Sequence, residues 1–380
     1  MQFTFFHLMP YRPLDMVERH KHRSGWVVLP NSLYDPKKGA DEYQSYIEQL
    51  VYAEKLGFDV IAVNEHHQTA YGLMPAPNLI AANLIARTTR AKIAIIGRAL
   101  PLVNNPVNLA EEFAMLDNLS RGRIVTGFVR GIGNEYHSTG INPFFSHERY
   151  QEAHDLIVQA WTKPGPFSFE GEHFNVRYVN PWPRPYQTPH PEIWIPSMGS
   201  SETVKWAAAP ERKYPFLVTF SARDLIARYL NVYRDQARAY GYEASPSQVG
   251  FASPVYVADT DERAKKEAAQ GMETLFNDFL ATPFQMLLPP GYSALQSMKN
   301  TMRMRKALGA TKRHTIDELM ASGTVVVGSP KTVRDHLARL RDDTRAGKLI
   351  TMLQFGTLSD ELTKRNMEMF ASEVMPHLRD

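Results

Sequence analysis

Short apolar segments rich in Val, Ile and Ala alternate with helix-like segments along the whole chain. Parallel strands joined by helices produce this alternation, because a crossover between parallel strands needs a dozen or more residues. The strand-like segments are eight in number: 2–7, 58–64, 92–99, 123–129, 192–197, 216–220, 249–258 and 349–356. Eight such units favour closure, so we predict an α/β fold, a (β/α)₈ TIM barrel, as one domain over residues 1–380.

Helical periodicity separates these strands, and the chain is longer than a bare barrel of ~250 residues requires. The predicted helices are 41–56, 76–90, 106–119, 147–161, 200–209, 223–240 and 360–378. The surplus falls in three inserted segments at about 10–40, 163–191 and 281–322, the second with a small hairpin around Gly171. We expect these insertions to crowd the C-terminal rim of the barrel.

Composition excludes several classes of function. The chain has no cysteine, so disulfides, thiolate nucleophiles and zinc–sulfur sites are ruled out. The net charge is +3 with acidic and basic residues interspersed, and no basic run indicates nucleic-acid binding. Residues 1–4 lack a basic stretch followed by an apolar one, and no apolar run is long enough to cross a membrane. We expect a soluble cytoplasmic enzyme.

The tripeptide Glu65-His66-His67 follows the second predicted strand, which ends at Asn64. Polar and ionisable groups are costly to bury, and α/β barrel enzymes build their sites at the carboxyl ends of strands. Adjacent residues of an extended chain point to opposite sides, so only one histidine is expected to face the site. The alternative is a histidine pair packed under a loop.

Two further segments suggest an anion site. Arg130 ends the fourth strand and is followed by Gly131 and Gly133, which permit close backbone approach to a ligand. Ser200 and Thr203 lie at the start of a helix, where hydroxyl and free N–H groups favour anions. The alternatives are an ordinary turn, a plain helix cap and, for Arg149 in helix 147–161, a solvated charge.

Together these segments resemble the bacterial luciferase-like flavin monooxygenase family, in order and over nearly the whole chain. The resemblance rests on Asn64-Glu65-His66-His67 with Thr69 and Gly72, Asn105-Pro106 through Glu112, Leu116 through Arg123, Gly127 through Gly131, Trp206-Ala207-Ala208 and Val374 through Leu378.

The resemblance implies a (β/α)₈ barrel that binds reduced FMN (FMNH2) supplied by a separate flavin reductase. Arg130, Arg149, Ser200 and Thr203 match flavin phosphate contacts, with Gly131 beside them. Ile96-Gly97 matches a position where some relatives hold a non-proline cis peptide bond beneath the flavin ring.

The resemblance also implies roles in catalysis. His66 matches the catalytic histidine, and an imidazole suits proton transfer near neutral pH. We expect Glu65 to orient His66 or its neighbour and Asn64 to bond the flavin edge, whereas His67 is expected to be structural. His7 and Arg98, at the ends of strands one and three, are candidate substrate contacts. The alternative for Arg98 is a rim ion pair.

The predicted function is a two-component monooxygenase that activates O₂ as a C4a-(hydro)peroxyflavin and oxygenates a small organic substrate. The family implies a dimer, here a homodimer or a heterodimer, with Ala81-Ala82 and Ala110-Glu111-Glu112 as packing surfaces. Two positions depart from the family pattern. Val129 replaces the cysteine of luciferase α-subunits, so luminescence is not implied, and Gly199 replaces an acidic residue that contacts the flavin.

Three alternatives stay open. A coenzyme F420-dependent oxidoreductase of the same superfamily is one, and a non-catalytic flavin-binding partner subunit is another. A metal-dependent barrel hydrolase is the third and the least favoured, since barrel metal sites commonly use His-x-His so that both side chains face inward. No metal is therefore expected.

Overall fold

Eight parallel strands close into a barrel in the computed structural model, which describes residues 1–198, 200–293, 299 and 313–379. The barrel strands are β1 (Gln2–Phe6), β2 (Val60–Val63), β3 (Lys92–Ala99), β4 (Ile124–Val129), β7 (Glu192–Ser197), β8 (Phe216–Val218), β9 (Val249–Val257) and β11 (Lys348–Met352). Neighbours in the sheet follow that order, and β11 pairs with β1 to complete the circle. The predicted (β/α)₈ fold is confirmed.

Helices surround the barrel on its outside. They are α1 (Met16–His20), α2 (Pro36–Lys55), α3 (Pro77–Arg87), α4 (Pro106–Ser120), α5 (Gly133–Thr139), α6 (Ser146–Thr162), α7 (Ser201–Ala208), α8 (Arg223–Ala239), α9 (Asp261–Thr274), α10 (Phe284–Leu287), α11 (Ile316–Ala321), α12 (Pro330–Thr344) and α13 (Asp360–Met369). Helices α2 and α4 begin at a proline after an Asp or Asn whose side chain accepts a backbone N–H, which explains their start points.

Alternate residues of each strand belong to two separate apolar cores. In β2, Ile61 and Val63 pack outward in the core shared with the helices. Val60 and Ala62 instead point into the barrel, where they join Trp194 of β7 and the other inward side chains. Because both faces of a barrel strand are buried, its sequence is apolar throughout, which is why the strands were predictable.

One strand departs from the predicted pattern. The short β10 (Val326–Gly328) pairs with the last three residues of β9, whereas the first three residues of β9 pair with β8. This ninth strand was not predicted, and neither were the helices α9 and α12 that flank the third insertion. At three residues β10 is as short as β8, which was predicted from the longer run at 216–220.

The second inserted segment forms the predicted hairpin, from β5 (Phe167–Glu170) and β6 (Asn175–Val179). The carboxylate of Glu152, in α6, accepts N–H groups from residues 172–174 at the turn. Gln187 later bonds Asp117 and the carbonyl of Ile124, at the amino end of β4. The segment therefore starts and ends near the amino end of the barrel, and its hairpin turn packs on α6.

The Ser120–Arg123 motif, which carries part of the family resemblance, is structural. Arg121 and Gly122 take positive φ at the end of α4 and turn the chain into β4. The guanidinium of Arg123 donates to the side chain and carbonyl of Thr88 and to the carbonyl of Ala91, which ties α3 to the start of β3.

Part of the third insertion, residues 294–298 and 300–312, lies outside the described residues. Across the part of the chain that the structure covers, no helix has the length and apolar character that a membrane crossing requires.

Candidate active site

The carboxyl end of β2 carries three of the predicted catalytic residues. Asn64 and Glu65 are buried, and the side chain of His66 is 15% exposed. The first insertion covers this end, because Trp26 bridges to Thr69 and packs edge-on against the ring of His66 at 5.2 Å. The ring of Tyr71 lies 4.9 Å from His66. The imidazole is thus enclosed by aromatic walls with one edge accessible.

His66 is oriented by Glu135, a residue that the sequence did not single out. His66 Nδ1 lies 3.0 Å from Glu135 Oε1, and the other carboxylate oxygen accepts the N–H of Ile132. Glu135 is the third residue of α5 and is 1% exposed. The sequence did contain one indication of Glu135. A Glu at the third position of a helix commonly accepts the backbone N–H of the residue that precedes the helix, as in a capping box.

Glu65 bonds His67 rather than His66. His67 Nε2 lies 2.7 Å from Glu65 Oε1, and the other oxygen pairs with Arg98 Nε at 2.8 Å and accepts the N–H of Ala99. Burial alone would raise the pKa of Glu65, but His67 and Arg98 outweigh it and hold the pKa below its usual value. The same hydrogen bond raises the pKa of His67. Of the two predicted options, Glu65 orients the neighbour of His66.

The positive charge of Arg98 is already paired with carboxylates, which weakens its attraction for an anionic substrate. Besides Glu65, its Nη1 lies 3.7 Å from Glu112 Oε2, and its side chain is 15% exposed. Two carboxylates therefore pair with one guanidinium. Of the two predicted roles of Arg98, this structure matches the ion pair at the rim rather than the substrate contact.

The prediction that His7 contacts substrate is wrong. His7 is fully buried, its Nε2 bonds Gln49 Oε1 at 2.9 Å, and its Nδ1 accepts the N–H of Met9. Burial lowers the pKa of His7 to about 3, so the ring stays neutral. With both ring nitrogens occupied and no exposed surface, His7 is a core residue that ties β1 to α2.

Asn64 presents an unused acceptor at the same end of the barrel. Its Oδ1 is buried and has no hydrogen-bond partner among the described residues, and neither has Oε1 of Gln354, which follows β11. An unsatisfied buried oxygen costs ~1–3 kcal/mol, which a ligand that donates a hydrogen bond would recover. The position of Asn64 therefore fits the predicted contact with a flavin edge.

The peptide bond between Ile96 and Gly97 is cis, at the position where some relatives hold such a bond. The register of β3 against β4 shifts between Ile95 and Arg98. A Cβ added at Gly97 would lie 2.9 Å from the carbonyl oxygen of Gly127, and one at Gly127 only 2.7 Å from that of Ile95. Glycine at both positions lets β3 and β4 approach where a planar ligand is expected.

Arg130 lies at the end of β4, as predicted, and is covered by the third insertion. Its Nη1 donates to Ser146 Oγ at 3.1 Å and to the carbonyl of Tyr292 at 3.0 Å, and its guanidinium stacks on the Tyr292 ring. The Tyr292 hydroxyl donates to the carbonyl of Gly131, whose φ is 77°. The third insertion therefore docks on the predicted phosphate arginine.

The start of α7 lies close to this arginine. Ser200 caps the helix by accepting the N–H of Thr203, and His147 Nε2 lies 3.5 Å from Glu202 Oε2. Burial and then the charge of Arg130 lower the pKa of His147, although Glu202 opposes them. Arg130, His147 and the first turn of α7 thus share one region, in which His147 was not predicted. Gly199 lies outside the described residues.

Arg149 faces elsewhere in this structure. Its Nε donates to the carbonyl of Pro101 and its Nη2 to that of Val103, and the guanidinium stacks on Phe174. Burial lowers its pKa. Arg149 therefore braces the loop after β3, and its role as a phosphate contact stays a prediction.

Within the described part of the chain, no three His, Asp or Glu side chains converge to hold a metal ion. The two Glu–His pairs at the rim contain one carboxylate and one imidazole each, and Arg98 occupies the second oxygen of Glu65.

Comparison with known proteins agrees with this geometry. The model of the luciferase-like monooxygenase family matches residues 22–346. The chain belongs to this family. A relative within it, the alkanal monooxygenase alpha chain of Photobacterium leiognathi, is 24% identical over 371 residues, which cover 93% of this chain and 99% of that protein.

Solved structures share the family barrel. The oxygenating constituent of 3,6-diketocamphane monooxygenase from Pseudomonas putida, in complex with FMN, superposes with a TM-score of 0.75 at 21% identity, covering 99% of this chain and 98% of that one. An F420-dependent secondary alcohol dehydrogenase reaches 0.69 at 16% identity, covering 100% and 99%. At these identities the likenesses establish the fold alone.

Proposed function

We propose that the protein is the oxygenase of a two-component flavin-dependent monooxygenase, which takes reduced FMN from a separate reductase and uses O₂ to oxygenate a small organic substrate. The observation that carries the proposal is the His66–Glu135 pair at the carboxyl end of β2. It follows Asn64, whose Oδ1 has no hydrogen-bond partner among the described residues, and the neighbouring strand β3 contains the Ile96–Gly97 peptide. Family membership supplies the reaction class.

The residues present fit a bound flavin. Asn64 Oδ1 would accept a hydrogen bond from the ring edge, Ile96 and Gly97 would lie beneath the ring, and Arg130 with Ser200 and Thr203 would hold the phosphate. When bound, reduced FMN supplies the reaction with O₂. The protein binds it, orients it and keeps water away.

His66 is the group that would move a proton. Its Nδ1 is engaged by Glu135, so Nε2 is the atom that exchanges a proton with the reacting species. The aromatic rings of Trp26 and Tyr71 beside the imidazole limit access of water. Burial raises the pKa of Tyr71, so its hydroxyl does not compete as a base.

We further propose a homodimer that forms through the outer face of α3 and α4. Of the predicted packing residues, Ala81 and Ala110 are buried in the core. Leu79, Met115 and Leu119 are large apolar side chains that stay more than half exposed on these two adjacent helices. Light scattering of the wild type and of Leu79→Asp tests this surface, with a dimer expected for the first and a monomer for the second.

The decisive experiment is anaerobic titration with reduced FMN, followed by rapid mixing with oxygenated buffer and recording of the flavin spectrum. We expect tight binding and a transient flavin–oxygen absorption that precedes oxidised FMN. Failure to bind reduced FMN, with binding of reduced F420 in its place, would support the F420 alternative. Binding of FMN without any transient would favour a non-catalytic partner subunit.

A further inference from the structure

Two carboxylate–histidine pairs lie side by side at the carboxyl end of the barrel, and they differ in how their charge is balanced. The Glu65 carboxylate meets Arg98 and the N–H of Ala99 as well as His67. Glu135 has no Lys or Arg ion-pair partner among the described residues, and its oxygens accept only from His66 and the N–H of Ile132. Among the described residues, the imidazole of His66 is thus the only side chain that Glu135 bonds.

The geometry at Glu135 determines which ring nitrogen of His66 carries the proton. Oε2 of Glu135 accepts the N–H of Ile132, and a carboxylate only accepts hydrogen bonds, so the 3.0 Å contact of Oε1 makes His66 Nδ1 the donor. Glu135 cannot rotate away, because its second oxygen is held by Ile132 N at 3.0 Å and its side chain is 2% exposed. The neutral ring then has its lone pair on Nε2.

The surroundings keep the ring in that orientation. Trp26 meets the imidazole edge-on at an angle of 86°, and Tyr71 lies on another side. Gly72 lies next to the ring: a Cβ built there would come within 3.4 Å of His66 Cδ2, the carbon bonded to Nε2. Nε2 has no hydrogen-bond partner among the described residues, whereas Nδ1 has Glu135.

We propose that Glu135 is the positioning residue of this site: it holds His66 as the Nδ1–H tautomer and so leaves Nε2 as the atom that accepts or gives a proton. The catalytic meaning of this inference rests on the proposed function, in which His66 is the acid–base group. The tautomer itself is a property of the protein alone and is tested without turnover.

The test is ¹⁵N NMR of the imidazole nitrogens in the full-length, FMN-free protein, with the His66 signals assigned from their loss in His66→Gln. We expect a protonated Nδ1 and an unprotonated Nε2 in the wild type at a pH where the ring is neutral. A protonated Nε2 in the wild type would overturn the proposal without any variant of Glu135.

The variant Glu135→Gln makes the sharper prediction. The amide has one oxygen, which the N–H of Ile132 occupies, so its NH₂ group faces Nδ1 and donates to it. The proton of the neutral ring must then move to Nε2. The ¹⁵N shift of Nε2 becomes that of a protonated nitrogen, and the shift of Nδ1 becomes that of an unprotonated one. The matched control is Glu65→Gln, which alters the signals of His67 and leaves those of His66 unchanged. Unaltered His66 shifts in Glu135→Gln, with native circular dichroism, would contradict the proposal.

A kinetic measurement separates this inference from the proposed function. In Glu135→Gln we expect turnover to fall at least ~10-fold, less than the ~10²–10⁴-fold that a general acid–base group itself contributes, because Glu135 acts through His66. The Kd for reduced FMN should stay within about twofold of wild type. If the wild type proves inactive with FMN while the NMR result holds, the proposed function fails and the positioning role stands. If the tautomer is wrong in an active enzyme, only the inference fails.

Discussion

The two ends of the barrel use buried polar groups in opposite ways. At the amino end, Glu192 pairs with Lys92 at 3.1 Å and Lys348 at 3.3 Å, and it accepts the indole N–H of Trp194. Lys348 also donates to Gln2 and lies over the Trp194 ring. Each of these charged groups has a partner of opposite charge, and the Lys348 side chain is only 5% exposed, so this end of the barrel is closed by its own side chains.

At the carboxyl end, some polar atoms have no partner within the described residues. Asn64 Oδ1 and Gln354 Oε1 are buried without a hydrogen bond, and His66 uses one ring nitrogen of two. Barrel enzymes place their sites at the carboxyl end, and stability resides at the other. The two ends therefore differ in how completely their buried polar atoms are paired. Pairing alone does not identify a site, because Trp206 Nε1 and His336 Nε2 are also buried without a partner among the described residues.

The largest expected effect is a loss of activity when His66, at the carboxyl end of the barrel, is replaced. In His66→Ala, substrate oxygenation should fall ~10²-fold or more, because a general acid–base group is removed, while binding of reduced FMN stays largely intact. Steady-state oxygenation and anaerobic flavin titration measure the two quantities. Undiminished turnover with equal flavin binding would remove His66 from the mechanism and weaken the contrast between the ends.

The next effect is on the amino end and concerns stability. Glu192→Leu leaves Lys348 buried without its carboxylate, and we expect a loss of ~2–3 kcal/mol in the free energy of unfolding. This lies below the cost for fully buried pairs because the Glu192 side chain is 29% exposed. Urea denaturation measures the loss, and kcat of the folded enzyme should be unchanged.

The control is Lys331→Met, which breaks the exposed i,i+4 pair with Asp335. Its effect on the free energy of unfolding should stay below ~0.5 kcal/mol, as is usual for surface ion pairs. Equal losses in the two variants would show that the amino-end cluster is no more than a surface network.

A smaller effect links binding to stability at the carboxyl end. Asn64→Leu removes a buried oxygen that has no partner among the described residues and puts an apolar side chain of similar size in its place. The flavin-free protein should therefore be unchanged or more stable by up to ~1 kcal/mol. The same change removes an acceptor for the flavin and should weaken binding of reduced FMN by ~10-fold, the worth of about one hydrogen bond. Thermal unfolding and flavin titration measure the two outcomes. A clear loss of stability without flavin would show that Asn64 is already satisfied.

The smallest effect concerns pH and the His67–Glu65 pair. The folded-state pKa of His67 is raised by its hydrogen bond to Glu65, so the folded protein binds this proton more tightly than the unfolded chain does. The resulting stabilisation is fully present below the ordinary histidine pKa of ~6.5 and is lost as pH rises through the raised value. The difference in unfolding free energy between wild type and His67→Asn should therefore shrink from pH 6 toward alkaline pH. A difference that grows in this direction would contradict the charged pair.

The parts of the molecule that were predictable from sequence are those whose signal is local. The eight barrel strands were found because each is a short apolar run bounded by turns, and the position of His66 at the end of β2 followed from one such run. The family resemblance marked the Ile96–Gly97 position but left open whether its peptide bond is cis, and nothing in the local pattern decides it.

The failures share a different cause. Glu135 was not singled out because it is 69 residues from His66 in sequence and meets it only when β2 and the start of α5 come together. His7 was assigned to substrate because it ends a strand, but Gln49 of α2 and the turn at Met9 occupy both of its nitrogens.

By itself the sequence determined the barrel, its closure and the end at which the polar residues gather, since burial on both faces of a strand imposes a pattern visible along the chain. Only the tertiary structure decided which carboxylate serves which histidine and which of the charged groups are neutralised. The His66–Glu135 and Arg98–Glu65 pairings depend on distances of about 3 Å between side chains from different elements, and such distances are set by how the elements pack.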